Sequence, residues 1–577
     1  MGAKSEVVGN VGHGPNSPGE WWRGGTIYQV YPRSFADSNA DGIGDIRGVI
    51  DKIDYISWLG VDAVWLSPVY RSPQHDNGYD ISDYYSIDAA YGSLEDLDEL
   101  IASLHDRGIR LIMDLVVNHT SNEHPWFIES SSSSENPKRD WYIWRPARPG
   151  IPKGTAGAEP TNWESYFSTP AWTFDKTSGE YYLHLFAPEQ PDLNWESPTL
   201  RREIYRMMTW WLDRGVDGFR MDVINLISKN YPLQDGKLLP HGELGDGSPW
   251  YLHGPRLLEF LDEMSSEVFS GRHSNAIRIG ETPDVTIEQA EALSAEGAST
   301  LDMVFQFEHV GLDREAQDWH KPRDIEEGDV YHNLVRWQEG LASTGWNSLY
   351  WSNHDQTRTV SRYGDDRPEH WANSAKTLAT TLYLMRGTAF VYQGDEIGMT
   401  NFPFSNLDDF RDVSAVNYIA AALGRGESPE EILGRLKRTS RDNARTPMQW
   451  AATERGGFSD SKSWYPVNPN FRRISVDQQI GDRASVLAHY KRVIAARKTR
   501  PELVEGRFVD LDVQIPGVIA YERIDGSRTT RVVANLSSEP VETTFHERPD
   551  WAERGILAVN PAGDDYMKPW QSIVWVS

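Results

Sequence analysis

Acids and histidines recur where short apolar runs end. Asn118 and His119 close LIMDLVVNH, Arg220 and Asp222 fall within GFRMDVI, and Glu281 ends IRIGE. His354 and Asp355 end LYWSNHD, and Asp395 and Glu396 end FVYQGDE. A single carboxylate in such a place is a solvated strand end; a whole set gathered at one rim is a reaction centre. The chain has no cysteine, no Gly-rich phosphate loop and no histidine pair at zinc spacing, so its carboxylates point to acid/base chemistry on a neutral substrate. Glycoside hydrolysis is the reaction that fits. It needs one ionised and one protonated carboxyl group, about 5 to 5.5 Å apart when configuration is retained. Arg220 and Asp222, two apart on a strand, point to the same side. The guanidinium is expected to lower the Asp222 pKa and keep it a carboxylate, as a nucleophile requires, although spacing alone equally allows a plain barrel salt bridge. Glu281 has no basic neighbour in sequence, which suits a general acid.

Something must carry these residues to one place. Apolar runs recur at intervals too long for hairpins, at 26–32, 63–69, 111–117, 218–224, 277–281, 303–309, 349–355 and 390–396. Between them lie helix-period segments: Ile46, Val49, Ile50, Ile53, Ile56 and Leu59, then Leu94, Leu97, Leu100, Ile101 and Leu104, with Ser93 and Asp96 as a capping signal. Eight apolar strands alternating with amphipathic helices predict an α/β fold, a closed (β/α)8 TIM barrel with catalysis at the C-terminal strand ends. The barrel is expected over 21–118 and 190–504. A Ser-, Pro- and Trp-rich stretch without helical period, 119–189, reads as an insertion domain after strand 3, and the Ser run at 130–134 within it as a short loop feature. From about Glu505 to the end at 577, the short alternating runs VIAYERI, RVVANLS and SIVWVS predict a C-terminal antiparallel β-domain. Residues 1–20 are polar and rich in Gly and Pro, a flexible lead-in.

Composition narrows the partners. The 577 residues carry a formal net charge of -28, which repels nucleic-acid phosphates and anionic lipid. No segment approaches the ~18 apolar residues of a membrane span. The absence of cysteine and of an apolar leader suggests a cytoplasmic protein. The 23 Trp, 25 Tyr and 18 Phe suit both a core and stacking on sugar faces.

Taken in order, DLVVNH at 114–119, GFRMDVI at 218–224, IGE at 279–281 and NHDQ at 353–356, with QPDLN at 190–194, resemble the motifs of the α-amylase superfamily, glycoside hydrolase family thirteen. Within it the chain resembles the oligo-1,6-glucosidase and α-glucosidase branch, over roughly residues 21–577. The resemblance implies Asp222 as nucleophile, Glu281 as general acid/base and Asp355 as a third carboxylate that holds sugar hydroxyls. It further implies a glucose pocket lined by Asp76, Tyr79, His119, Arg220, His354 and Arg445, closed at its far end by an Asp76–Arg445 pair as in exo-acting members. Tyr79 would stack on the sugar ring; Phe167 would contact the next sugar or pack in a core.

DSNADGIGD, 37–45, places oxygen donors at alternate positions around a Gly turn, which is calcium-loop chemistry without the acidic twelfth position, where Gly48 stands. The resemblance implies a structural Ca2+ held by Asp37, Asn39, Asp41, the carbonyl of Ile43, and Asp45. Thr357 and Asp284 depart from residues common in relatives (Pro and Gly) and bear on the aglycone site. Val223 resembles members that accept α-1,6 bonds. The expected substrate is thus a short isomaltose-like oligosaccharide or sucrose, with glucosyl transfer as a side reaction. A sucrose isomerase or dedicated transglucosylase is the alternative, against which Gln356 stands where isomerases usually have Asn. A non-enzymatic relative of the transporter-escort kind is disfavoured because all three carboxylates are present. The sequence leaves the oligomeric state open.

Overall fold

The computed structural model describes residues 20–577 except 241, 243, 296, 298–299, 316–317, 327, 546, 548, 551, 553 and 560–565. All but the last residue of the lead-in expected at 1–20 therefore lies outside the described residues. Eight strands form one parallel sheet: β1 Thr26–Val30, β2 Ala63–Leu66, β3 Arg110–Val116, β4 Gly218–Asp222, β5 Ile277–Glu281, β6 Met303–Phe305, β7 Ser348–Leu349 and β8 Thr388–Tyr392. Their order is β6-β5-β4-β3-β2-β1-β8-β7, and a parallel bridge between Val304 and Asn347 joins the two remaining edges. This is the expected barrel. Its strands are buried on both faces, which is why they read as continuous apolar runs and not as alternating ones.

The period of two decides what faces inward. Ile27, Trp65, Ile112, Ile277, Ile279, Met303, Phe305 and Phe390 pack together inside the barrel, whereas Tyr28, Val64, Leu66, Leu111, Met113, Phe219 and Met221 face the surrounding helices. The same alternation carries Asp114, Arg220, Asp222 and Glu281 inward, in register across β3, β4 and β5, where Asp114 pairs with Arg220 and Arg220 with Ile279. The apolar interior thus gives way to charge toward the C-terminal strand ends.

The helix read from Ile46 to Leu59 is two helices, Ile46–Asp51 and Ile53–Leu59, interrupted at Lys52 (φ -105°, ψ 5°). The apolar face continues across the break, so periodicity alone shows one element. Leu94–His105 opens with a full capping box, Ser93 accepting from the Asp96 N–H and Asp96 from the Ser93 N–H. The 119–189 stretch does contain a helix, Pro125–Ser132, whose last turn takes up the first three serines of the Ser run. Its apolar residues are too few to show a period; Pro at the first turn and His124 as cap make the helix instead. A three-stranded antiparallel sheet, Trp144–Arg145, Trp172–Asp175 and Glu180–Leu183, follows. Its core, with Trp163, Trp172 and Leu183, includes Val223 and Leu226, so this segment is anchored directly on the end of β4.

Five antiparallel strands finish the chain: β9 Arg507–Asp510, β10 Val518–Asp525, β11 Arg528–Asn535, β12 Arg554–Val559 and β13 Ser572–Val576, in the order β9-β10-β11-β13-β12. Tyr521 of β10 donates to the Thr381 carbonyl of the helix Trp371–Tyr383, which seats the sheet against the barrel.

Candidate active site

A cavity of 1310 Å³ opens at the C-terminal ends of the barrel strands, and Asp76, Tyr79, His119, Phe167, Asp222, Glu281 and Asp355 line it. One buried guanidinium organises its floor. Arg220 Nη1 donates to Asp114 Oδ1 and to Asp222 Oδ1, each at 2.7 Å, and Nη2 lies 2.5 Å from Glu281 Oε1. Three carboxylates from three neighbouring strands share one cation. Glu281, which has no basic neighbour in sequence, gains one in the fold: Arg220 reaches it from the adjacent strand, which sequence distance hides. The expectation for Asp222 also changes sign. Burial, the largest effect, pushes its carboxyl well up; Arg220 pulls it down, and Glu281 and Asp114 push it up again. A guanidinium divided among three acids does not offset the burial of Asp222.

Backbone strain holds the second catalytic candidate. Val223 follows Asp222 in the left-handed region (φ 37°, ψ 44°), unusual for a β-branched residue, and from there its N–H donates to Glu281 Oε2 at 3.0 Å. A strained residue at a strand end, kept in place by the packing around it, is typical of functional sites.

The far end of the cavity is a second charge cluster. Arg441 Nη2 lies 3.2 Å from Asp76 Oδ1 and Nη1 3.1 Å from Asp355 Oδ1, while Nε holds Asp412. Arg445 Nη2 donates to Asp355 Oδ1 at 2.7 Å and Nη1 to Asp412 at 3.3 Å. The anticipated Asp76–Arg445 pair is thus replaced by Asp76–Arg441, with Arg445 on Asp355. Both arginines stand in the 3-10 turn and loop of RDNAR, and only the folded chain shows which one reaches Asp76. Burial raises the Asp76 carboxyl to about 6 against the pull of Arg441 and Arg445. Burial also acts upward on Asp355, but His354, Arg441 and Arg445 outweigh it and hold this carboxyl below the ordinary range.

Three of the residues expected on the lining stand one layer behind it. Arg220 backs the floor, Arg445 backs Asp355, and His354 is fully buried with Nδ1 2.8 Å from Gln29 Nε2 and Nε2 3.2 Å from Asp355 Oδ2. Tyr79 stacks on His354, ring centroids 5.2 Å apart and planes 7° apart, and its hydroxyl reaches Asp114 at 3.3 Å. Burial lowers the pKa of both His119 and His354 to about 3, so both rings are neutral donors or acceptors at physiological pH. Phe167 reaches the cavity from the inserted segment and lies 5.0 Å under the Arg441 guanidinium.

Asp395 and Glu396, also at a strand end, go elsewhere. Glu396 is buried beneath the Tyr28 and Tyr55 hydroxyls at 2.7 and 2.8 Å, and Asp395 accepts from Ser352. Four residues were missed from sequence. Asp114, inside LIMDLVV, is the charge in an apolar strand that signals an inward polar layer; Trp65 Nε1 fixes it at 2.8 Å. Arg441 and Asp412 carry no such signal. Lys229 is buried against Asp192 Oδ2 (2.7 Å) and Asn118 Oδ1 (3.0 Å), which ties QPDLN to the end of β3.

In the 37–45 loop the side-chain oxygens fold back on the loop itself: Asp37 accepts from the N–H groups of Asn39, Ala40 and Gly42, Asn39 from that of Asp41, and Asp41 from that of Ile43. Asp45 caps the next helix through Gly48. Among the described residues, no group of three or more His, Cys, Asp or Glu side chains is gathered as a metal site.

An eight-stranded parallel barrel with paired carboxylates at its C-terminal mouth, and a pocket walled at one end, has the arrangement of a barrel enzyme that works by acid/base chemistry. The alpha-amylase catalytic-domain family model matches residues 29–506, and the chain belongs to that family. It is a glycoside hydrolase. An oligo-1,6-glucosidase of Halalkalibacterium halodurans is 49% identical over 517 residues, 90% of each chain. The solved trehalose-6-phosphate hydrolase of Bacillus licheniformis is 41% identical with a TM-score of 0.87, over 96% of this chain and 99% of that one. The isomaltulose synthase of Erwinia rhapontici is 37% identical with a TM-score of 0.90, over 97% of this chain and 100% of the other. No helix among the described residues is long and apolar enough to cross a membrane.

Proposed function

We propose that the protein is a retaining, exo-acting α-glucosidase that removes the terminal glucose of short neutral oligosaccharides, α-1,6-linked ones or sucrose. The observation that carries this reading is the Arg220 cluster, which holds Asp222 and Glu281 from adjacent strands beside one cavity. Retaining hydrolysis needs one proton on such a carboxyl pair, and the burial that raises the Asp222 carboxyl favours keeping one there. The glycosidic oxygen is an acceptor, so bound substrate favours the arrangement in which Glu281 donates and Asp222 is ionised. Asp222 then attacks the anomeric carbon as Glu281 protonates the leaving oxygen, and a covalent glucosyl–enzyme forms. Glu281, now a carboxylate, takes a proton from water, whose oxygen displaces Asp222 and restores the configuration. When a second sugar arrives before water, the same step transfers glucose.

Asp76, Asp355, Arg441 and Arg445 form an ion-paired wall that suits a pocket holding one terminal glucose, with Asp355 and neutral His119 as hydroxyl partners and His354 backing Asp355. Val223, beside the nucleophile on the cavity lining, supports α-1,6 preference. Asp37, Asn39, Asp41, the Ile43 carbonyl and Asp45 would hold a structural Ca2+; the support is an all-oxygen donor set at alternate positions, pinned to the barrel by Ser459 Oγ on Asp37 at 2.5 Å. We place the protein in the cytoplasm on its lack of cysteine. Product analysis with isomaltose, maltose, sucrose and trehalose tests the reading. Glucose as the first product, released as the α-anomer and fastest from isomaltose or sucrose, supports it; inverted anomer, internal cleavage or mainly isomerised sucrose overturns it.

A further inference from the structure

The cavity extends well beyond the carboxylate cluster, and one of its walls is the hairpin Arg314–Glu315 with Asp318–Pro322, which follows β6. Arg314 is 5% exposed, yet its Nε and Nη1 have no hydrogen-bond partner. The nearest acid, Asp313, lies 3.3 Å from Nε but is already held by Arg362, at 2.5 Å and 3.0 Å on its two oxygens. Two guanidiniums sharing one carboxylate leave a buried donor set at the cavity wall unsatisfied, which is costly unless something binds there. Beside it, Trp319 stays 40% exposed on the same lining while its ring lies 5.4 Å from the Arg314 guanidinium. His320 Nδ1, buried on the same hairpin, is also without a partner. The hairpin connects to the reaction centre through Arg362, which donates to the side chain of Gln356, the residue after Asp355, at 2.6 Å.

The geometry points to an outer sugar subsite on this hairpin, in which Trp319 is the platform for a pyranose face and Arg314 donates to its vicinal hydroxyls. This rests on the α-glucosidase reading and extends it: the subsite would take the third unit of a neutral oligosaccharide, beyond the sugar that leaves. Glu315 and Asp318 on the same wall, in a chain of net charge -28, favour a neutral ligand over a phosphorylated one. An exposed indole fixed against a cation is a rigid, flat surface of the type sugars stack on.

The test is kcat/KM of wild type, Trp319→Ala and Arg314→Gln on p-nitrophenyl α-glucoside, isomaltose, isomaltotriose and isomaltotetraose, with melting temperatures alongside. We expect both variants to lose about tenfold on the three- and four-unit chains and less than twofold on isomaltose and the nitrophenyl glucoside, with KM changing and kcat not. Arg314→Gln should melt no lower than wild type, since it removes a buried charge whose one carboxylate is already held by Arg362. Equal losses on short and long substrates, or no loss on any, overturn the subsite while leaving the α-glucosidase reading standing. Faster turnover of a 6-phosphorylated disaccharide than of its neutral parent, abolished by Arg314→Gln, overturns the neutral ligand. Wild type inactive on every α-glucoside overturns both readings together.

Discussion

Two sets of arginines divide the molecule. At the barrel mouth, Arg220, Arg441 and Arg445 pair with carboxylates and are surrounded by more acid than they neutralise. At the seam with the C-terminal sheet, Arg497 and Arg523 bond to carbonyl oxygens: Arg497 to those of Tyr383, Met385 and Gly387, Arg523 to those of Leu384, Leu503, Val504 and Gly506. Burial lowers Arg497 to about 10 and Arg523 to about 9, whereas the mouth arginines are raised because the charges of their acidic partners outweigh burial. Partner type separates the roles. Carbonyl-capped guanidiniums tie chain ends, turns and sheet together, and their removal should read out as lost stability. Carboxylate-paired ones keep negative charge concentrated where an oxocarbenium-like centre would form, and changes there should read out as lost rate.

The sharpest break between the two regions is Asp222→Ala. We expect kcat to fall by about 10^4-fold or more with a melting temperature at or above that of wild type, because one of three acids crowding Arg220 is gone; calorimetry and turnover on p-nitrophenyl α-glucoside check both halves. At the seam, Arg523→Met should do the reverse, costing about 3 kcal/mol of stability through unpaired buried carbonyls while kcat/KM stays within twofold. A variant that lost both properties equally would erase the distinction. Arg441→Gln falls between them. It should raise KM about tenfold, and because Arg441 holds down the Asp76 carboxyl, now at about 6, its loss raises that value further. If ionised Asp76 binds the sugar, the acid limb of kcat/KM then moves to higher pH, and an unmoved limb assigns it to another group. The smallest effect belongs to calcium. Excess chelator should lower the melting temperature by a few degrees with kcat nearly unchanged at 25 °C, and Asp37→Ala should melt at the same temperature with or without chelator.

Much of this was legible in the residues. The eight barrel strands follow from apolar runs that are buried on both faces, and the Ser93–Asp96 capping box from residue types alone. Asp222, Glu281 and Asp355 stand out because each ends such a run. Asp395 and Glu396 show the limit of that signal: the same pattern leads Glu396 under two tyrosines, away from the cavity. Lys52 shows another, since an apolar face can continue across a break in the backbone.

What the sequence determined by itself was therefore local: strand and helix periods, the caps, and the inward direction of Arg220 and Asp222 two residues apart. What only the tertiary structure decided was who shares a charge with whom. Arg220 meets Glu281 across a strand register, Arg441 and not Arg445 meets Asp76, and Asp222 is driven up although an arginine sits beside it. Those outcomes depend on burial and on distances between residues up to 365 positions apart. Coulomb interaction and desolvation act through space, and spacing along a chain does not encode them.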